Sequence, residues 1–69
     1  MKIELDKNIY DKDAIYQSIE VWNEYLYAPT VSESSKSIYI EIEDIQLDIK
    51  IINEFLNYVL DLTSSKELL

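Results

Sequence analysis

Acidic side chains are the groups in this chain best placed to do chemistry. Glu41 and Glu43 are two residues apart in an alternating segment, which places their carboxylates roughly 7 Å apart on one strand face. Glu4 lies in a second alternating segment and can join them if the two strands pair. Such a group can act as a general acid and base or hold a hard cation such as Mg²⁺ or Ca²⁺. Nothing nearby in the sequence builds the enclosed pocket that this chemistry needs, so a solvated sheet face is the preferred interpretation.

Other reactive groups are missing from the composition. The chain has no histidine, cysteine or glycine. This excludes Ser–His–Asp and Cys–His catalytic arrangements, disulfides, the common zinc, haem and iron–sulfur sites, and glycine-rich phosphate loops. Ser–Lys pairs at Ser35–Lys36 and Ser65–Lys66 lie in a predicted loop and near the C-terminus, where nothing activates the lysine. We therefore expect a protein that is not an enzyme and that uses no cofactor or metal ion.

Size and charge predict one small acidic domain over residues 1–69. The chain is 48% hydrophobic, which is too much for a disordered segment, and its net charge is −8. No apolar run approaches the roughly 20 residues of a membrane span, and no secretory leader is visible, so a cytoplasmic protein is expected. The negative field disfavours direct nucleic-acid binding and favours a protein or basic peptide as partner. The same acids also serve to keep a small domain soluble.

Two segments have the apolar spacing of amphipathic helices, 11–26 and 48–62, and each begins with an aspartate able to cap it. The inward positions expected are Ile15, Ile19, Trp22 and Leu26 in the first helix, and Ile49, Ile52, Leu56 and Val59 in the second. The bulk of Trp22 predicts that it anchors the core. Ser64 and Glu67 have the spacing of a capping box, which predicts a new helix start near the C-terminus.

Three further segments are predicted to be strands, which makes the fold α+β. Residues 1–7 and 37–44 alternate between apolar and polar positions. Residues 27–32 are predicted to form a shorter strand. Because Pro29 cannot donate to a ladder, this strand is expected to lie at a sheet edge or to start late, and Ala28 before the proline is expected to be extended. The predicted architecture is a β-α-β-β-α two-layer sandwich: a three-stranded sheet with 37–44 in the centre and both helices on one face.

The sheet face opposite the helices is the candidate partner-binding surface. It is predicted to carry Tyr39, Glu41, Glu43 and Glu4, and tyrosine suits an interface because it combines apolar area with a polar end. A rim of tyrosines around a small core explains the same composition. An alternative function is inhibition of a nuclease or defence protein by nucleic-acid mimicry. The acids available for mimicry are Asp13, Glu20, Glu24, Glu41, Glu43, Asp44, Asp48, Glu54 and Asp61. A homodimer formed through strand edges or through Leu68 and Leu69 is a further possibility.

Two short segments resemble the small HxsD proteins of the His-Xaa-Ser repeat system. Residues 9–15, IYDKDAI, are similar to that family's opening with a tyrosine followed by Ala-Ile, here Tyr10, Ala14 and Ile15. Residues 52–57, INEFLN, after the strand at 39–43, are similar to its later helix. The resemblance implies an accessory role beside a radical-SAM peptide-modifying enzyme, such as recruiting the peptide, and it implies no catalytic residue.

Overall fold

The computed structural model describes residues 1–43 and 48–67. Its elements are β1 (Lys2–Asp6), α1 (Lys12–Trp22), β2 (Thr30–Glu33), β3 (Ser37–Glu41) and α2 (Ile49–Glu67). This order confirms the predicted β-α-β-β-α arrangement. Asp44, predicted as the end of the last strand, and the Leu68–Leu69 end lie outside the described residues.

Strand β3 occupies the centre of the sheet, as predicted. The strand order is β1-β3-β2, and both neighbours run antiparallel to β3. Alternation along this strand places Ile38, Ile40 and Ile42 beneath the helices, each with 1% exposure or less. Tyr39 and Glu41 point to the other face, where Glu41 is exposed. One apolar face is therefore closed by the helices, and the opposite face is left open.

The core is centred on Phe55 rather than on Trp22. The ring of Phe55 is fully buried, whereas Trp22 is only half-buried and packs against the edge of the core. The buried stripe of α2 consists of Ile52, Phe55, Val59 and Thr63. Ile49, expected to face inward, is 60% exposed. The apolar arc of α2 is wide enough for either Leu56 or Phe55 to face the core directly. Packing of the helix against the sheet buries Phe55 more deeply.

Both helices begin at the predicted caps. The Asp11 carboxylate accepts a hydrogen bond from the backbone N–H of Ala14 at 3.0 Å, and Asp48 accepts one from Lys50 at 2.9 Å. Each aspartate thus satisfies a backbone donor that has no partner inside its own helix.

The chain leaves α1 through a turn, so the strand predicted over 27–32 lies at the sheet edge and starts late, as expected from Pro29. Tyr27 and Ala28 have φ values of 58° and 51°, which is the left-handed region. Their N–H groups donate to Glu24 at 3.2 Å and to Asn23 at 2.9 Å, the pair of hydrogen bonds that forms a Schellman motif. Strand β2 therefore begins only at Thr30, and Ala28 is not extended although a proline follows it.

Helix α2 is continuous through the predicted capping box at 64–67. A serine caps a helix only where the preceding backbone leaves the helical path. Here Thr63, immediately before the box, is 3% exposed and packs inside the last part of α2. That burial favours continuation of the helix, and the prediction of a new start was wrong.

Candidate partner-binding surfaces

The sheet face (Glu4, Tyr39, Glu41 and Glu43) is assembled by the pairing of β1 with β3. The register sets Glu4 opposite Tyr39 and Lys2 opposite Glu41. Cross-strand partners share a face, so Glu4, Tyr39 and Glu41 are immediate neighbours. Glu43 follows the strand and is exposed. Three of the four predicted positions, Glu4, Tyr39 and Glu41, therefore share one side of the sheet.

Two of these four residues already have intramolecular partners. The Ser37 hydroxyl donates to Glu4 Oε2 at 2.9 Å, and Lys2 Nζ lies 4.9 Å from the centre of the Tyr39 ring. That distance is within the range of a cation–π contact. The side-chain carboxylates of Glu41 and Glu43 make no hydrogen bond or ion pair with any residue in the described ranges. A cationic partner would therefore meet these two carboxylates first.

Glu41 and Glu43 also border a shallow polar depression of about 360 Å³ at the end of the sheet. Met1, Thr30 and Ile42 complete its lining. The Met1 amino group donates to the Ile42 carbonyl at 2.8 Å, which holds the chain start against this end of β3. The depression gives a side chain from a partner a defined place beside both carboxylates.

The carboxylates of the sheet face do not form the cation-binding cluster that their spacing allowed. Within residues 1–43 and 48–67, no group of three or more acidic side chains is close enough to hold a metal ion. Register explains the outcome, because Glu4 faces Tyr39 and is bonded to Ser37, while Lys2 lies opposite Glu41. The site is suited to hydrogen bonding and charge pairing with a partner, not to metal coordination.

A second surface, which the sequence reasoning missed, lies on the outer side of the helical layer. A groove of about 410 Å³ runs between α1 and α2. We call it the aromatic groove; it is lined by Val21, Trp22, Tyr25, Ile51, Glu54 and Tyr58. Ile51, Glu54 and Tyr58 occupy one face of α2 because they are three and four residues apart.

The rings of the aromatic groove contact one another. The centre of the Trp22 ring lies 5.5 Å from that of Tyr25 and 6.1 Å from that of Tyr58, with interplanar angles of 56° and 64°. Below them, Phe55 meets the same indole edge-on at 6.2 Å. Only part of the signal for this surface was present in the sequence. Val21 extends the apolar arc of α1, Tyr25 follows in the turn after that helix, and Ile51 and Tyr58 extend the apolar arc of α2.

A third cluster joins the β2–β3 hairpin to α1. Glu33 lies opposite Ile38 in the register, which places its side chain on the helical side of the sheet. There Lys7 Nζ and Lys12 Nζ form ion pairs with Glu33 Oε2, the latter at 3.1 Å. The Tyr16 hydroxyl donates to Glu33 Oε1 at 2.8 Å. The strand predicted over 27–32 stops before Glu33, so the sequence did not indicate this cluster.

These contacts shift the pKa values of three side chains in the cluster. Hydrogen bonds from Lys7, then from Tyr16 and Lys12, lower the pKa of Glu33 to about 2. The hydrogen bond to Glu33 raises the pKa of Lys12 and also that of Tyr16. Three donors of the domain already bind this carboxylate, so the cluster joins the hairpin to α1 and leaves little acceptor capacity for a ligand.

Comparisons with protein-family models, curated proteins and solved structures find no match to this chain. In the part of the chain that the structure describes, no helix is both long and apolar enough to cross a bilayer.

Proposed function

We propose that this protein is a non-catalytic binding module that docks a basic polypeptide segment on its sheet face. The observation that carries the proposal is the position of Glu41 and Glu43 together beside a polar depression, at a sheet face that no helix of the described residues covers. Neither carboxylate has a partner among the described residues, so each is available to a lysine or arginine of another chain. Charge-assisted hydrogen bonds of this kind are stronger than neutral ones.

Tyr39 adds apolar contact area next to these carboxylates. Its ring is half-buried, with Lys2 over it at 4.9 Å. A partner that brings its own cation can replace Lys2 at the ring and release that lysine to solvent. The net charge of −8 draws a basic segment towards the domain and speeds the encounter at low salt.

The edge of β2 offers a second element of recognition. Thr30–Glu33 pairs with β3 on one side only, so its other side has backbone groups for an added strand. An extended segment lying along β2 would run beside the sheet face. Backbone pairing supplies affinity in this binding mode, and the carboxylates supply selection for basic side chains.

The biological role we propose is that of an accessory protein, in the cytoplasm, that recruits a peptide or protein to a peptide-modifying enzyme. The resemblance of residues 9–15 and 52–57 to HxsD proteins supports this role. The open sheet face supports it independently, because recruitment requires an exposed surface and no chemistry.

Nucleic-acid mimicry has less support in the geometry. A mimic needs one continuous acidic track. The described acids considered for mimicry divide between two layers: Glu41 and Glu43 at the sheet, and Asp13, Glu20, Glu24, Asp48, Glu54 and Asp61 in the helical layer, where Glu24 lies in the turn after α1 and Asp48 caps α2. Asp44, also considered for mimicry, lies outside the described residues. We therefore favour a basic peptide over a nucleic-acid-binding protein as the target.

Mapping of backbone amide shifts by NMR tests the docking proposal. The probe is a synthetic peptide of alternating lysine and valine, which is basic and favours an extended conformation. We expect the largest shifts in β2, in β3 and at Glu43, and binding that weakens as salt is added. The double variant Glu41→Gln, Glu43→Gln is expected to bind severalfold more weakly.

The matched control is Glu20→Gln, Asp61→Asn, which removes the same charge from the helical layer. It is expected to retain most of the affinity. An equal loss in the control would mean that only the overall charge attracts the peptide, and the docking surface would be abandoned.

A further inference from the structure

We infer that the aromatic groove is a second binding site, which takes an arginine side chain of a basic polypeptide. This inference does not depend on the sheet face, since the groove lies in the opposite layer of the domain. It assigns a function to four residues that share this surface: Trp22, Tyr25, Tyr58 and Glu54. Stability of the fold alone does not explain why they lie together there.

The walls of the groove are apolar and accessible. Tyr25 is 61% exposed and Val21 is 58% exposed, while Trp22, Ile51 and Tyr58 are half-buried. These side chains form one contiguous, mostly apolar surface. Its volume of about 410 Å³ lies within the range of about 300–1,000 Å³ common for ligand pockets.

The indole of Trp22 is held in place before any ligand arrives. Tyr25, Phe55 and Tyr58 each contact it, at 5.5, 6.2 and 6.1 Å between ring centres. These contacts restrict the rotamer of Trp22, so a ligand that stacks on it pays little ordering entropy. A preorganised, electron-rich ring surface attracts a cation.

Glu54 identifies the cation that fits best. Its carboxylate lies in an otherwise apolar lining. It makes no ion pair with any residue of the described ranges, Lys50 one turn earlier included. A guanidinium group stacks on an aromatic face and can pair with a carboxylate through two parallel hydrogen bonds. A lysine ammonium is a strongly hydrated point charge and matches this mixed lining less well.

The aliphatic part of an arginine also matches the groove. Its methylene stem can lie along Val21 and Ile51 while the charged end reaches Glu54. Each component of the side chain therefore has a counterpart in the lining: apolar residues for the stem, Trp22 for the guanidinium plane, and a carboxylate for the charge.

Charge distinguishes this occupant from a second copy of the chain. Two copies paired through their grooves would enclose two Glu54 carboxylates in one symmetric interface, between molecules that each carry −8. Like charges placed together oppose such an interface. A basic polypeptide removes that repulsion, so it is the partner that the groove favours.

Trp22 is the only tryptophan of the chain, so its fluorescence reports on the groove directly. The probe is a blocked peptide with a central arginine between two leucines. Two matched probes carry lysine or citrulline in place of arginine, and citrulline keeps the shape of the side chain without its charge. We expect the arginine probe to change the fluorescence and to bind most tightly, with lysine weaker and citrulline weakest.

The Glu54→Gln variant separates charge pairing from apolar contact. It is expected to weaken the arginine probe about fivefold, the scale of one partly exposed ion pair, and to leave the citrulline probe nearly unchanged. Glu20→Gln, a loss of the same charge from α1 outside the groove lining, is expected to have little effect. Equal binding of arginine and citrulline would overturn the inference, as would an unchanged affinity in Glu54→Gln.

Amide shift mapping with the arginine probe distinguishes this inference from the docking proposal. Shifts at Ile51, Glu54 and Tyr58 support the groove. Shifts confined to β3 and Glu43 would overturn the groove and leave the sheet face standing. Light scattering completes the test, because concentration-dependent dimerisation abolished by Glu54→Arg would show that the occupant is a second copy, which also overturns it.

Discussion

The hydroxyl of Thr63 accepts a hydrogen bond from the backbone N–H of Asp11 at 3.1 Å, across 52 residues of chain. Thr63 lies inside the last part of α2, and Asp11 caps the first turn of α1. The contact therefore joins the end of one helix to the start of the other. Thr63 is only 3% exposed, so water does not compete for this bond.

Replacing Thr63 with valine tests the strength of this link. Thr63→Val preserves the shape of the side chain and removes the acceptor, so we expect the free energy of unfolding to fall by about 1 kcal/mol. Urea denaturation followed by circular dichroism measures the change. Ser64→Val makes a similar substitution at the next, exposed position. A loss as large in Ser64→Val would attribute the effect to helix propensity instead.

The position of the core centre predicts a difference between two aromatic residues. Phe55→Ala removes a fully buried ring and should cost about 3–5 kcal/mol, enough to unfold most of a domain this small. Trp22→Ala should cost less, because the indole is only half-buried and part of its area is already in water. Thermal unfolding of the two variants compares them directly. A larger loss of stability in Trp22→Ala than in Phe55→Ala would show that the tryptophan is the centre of the core.

The Glu33 cluster predicts an acid-dependent loss of stability. The pKa of Glu33 is lowered from 4.5 to about 2 in the folded protein, so the unfolded chain takes up the proton first as pH falls. Its stabilising contribution is therefore complete above pH 4.5 and is lost progressively as pH decreases towards about 2. Denaturant titrations across this window measure the slope.

Glu33→Gln should flatten that slope, because glutamine does not titrate and cannot pair with Lys7 and Lys12 as an anion. Glu20→Gln is the control, since Glu20 is an exposed acid without an ion pair among the described residues. If Glu33→Gln leaves the pH dependence of unfolding unchanged, the cluster does not stabilise the fold in this window.

The Schellman turn after α1 offers a stabilising substitution. Tyr27 adopts φ 58° although its Cβ disfavours the left-handed region, and its side chain is 60% exposed. Tyr27→Gly should raise the free energy of unfolding by about 1 kcal/mol, because glycine enters this region without steric cost. Tyr27→Ala keeps the Cβ and is expected to bring no such gain. Equal stability of the two variants would show that the turn is unstrained at this residue.

Local pattern was sufficient for the order of elements and the faces of the sheet. Alternation at Ile38, Ile40 and Ile42 requires a strand with one buried side, and a one-residue slip would expose all three. The aspartate N-caps of both helices were also predicted from sequence, because a capping side chain bonds to a backbone N–H within three residues of itself. These features depend on neighbours in sequence, and the structure confirms them.

Features that depend on contacts between residues far apart in sequence could not be predicted from local pattern. The Glu33 cluster exists because the register of β2 on β3 turns that side chain towards Lys12 and Tyr16 of α1. The aromatic groove likewise needs two helices side by side, and neither helix shows it alone. Spacing along one element says which residues share a face but not which element that face will meet.

The chain by itself determined its α+β architecture, its acidic charge and the residues that share the open sheet face, since these follow from composition and from periods of 2 and 3.6 residues. Only the tertiary structure decided that Phe55 forms the core centre, that Thr63 continues α2 and bonds to Asp11, and that Trp22 lines a groove. For each of these features, the alternative structures differ little in local energy. Contacts between elements that are far apart in sequence therefore decide which alternative forms.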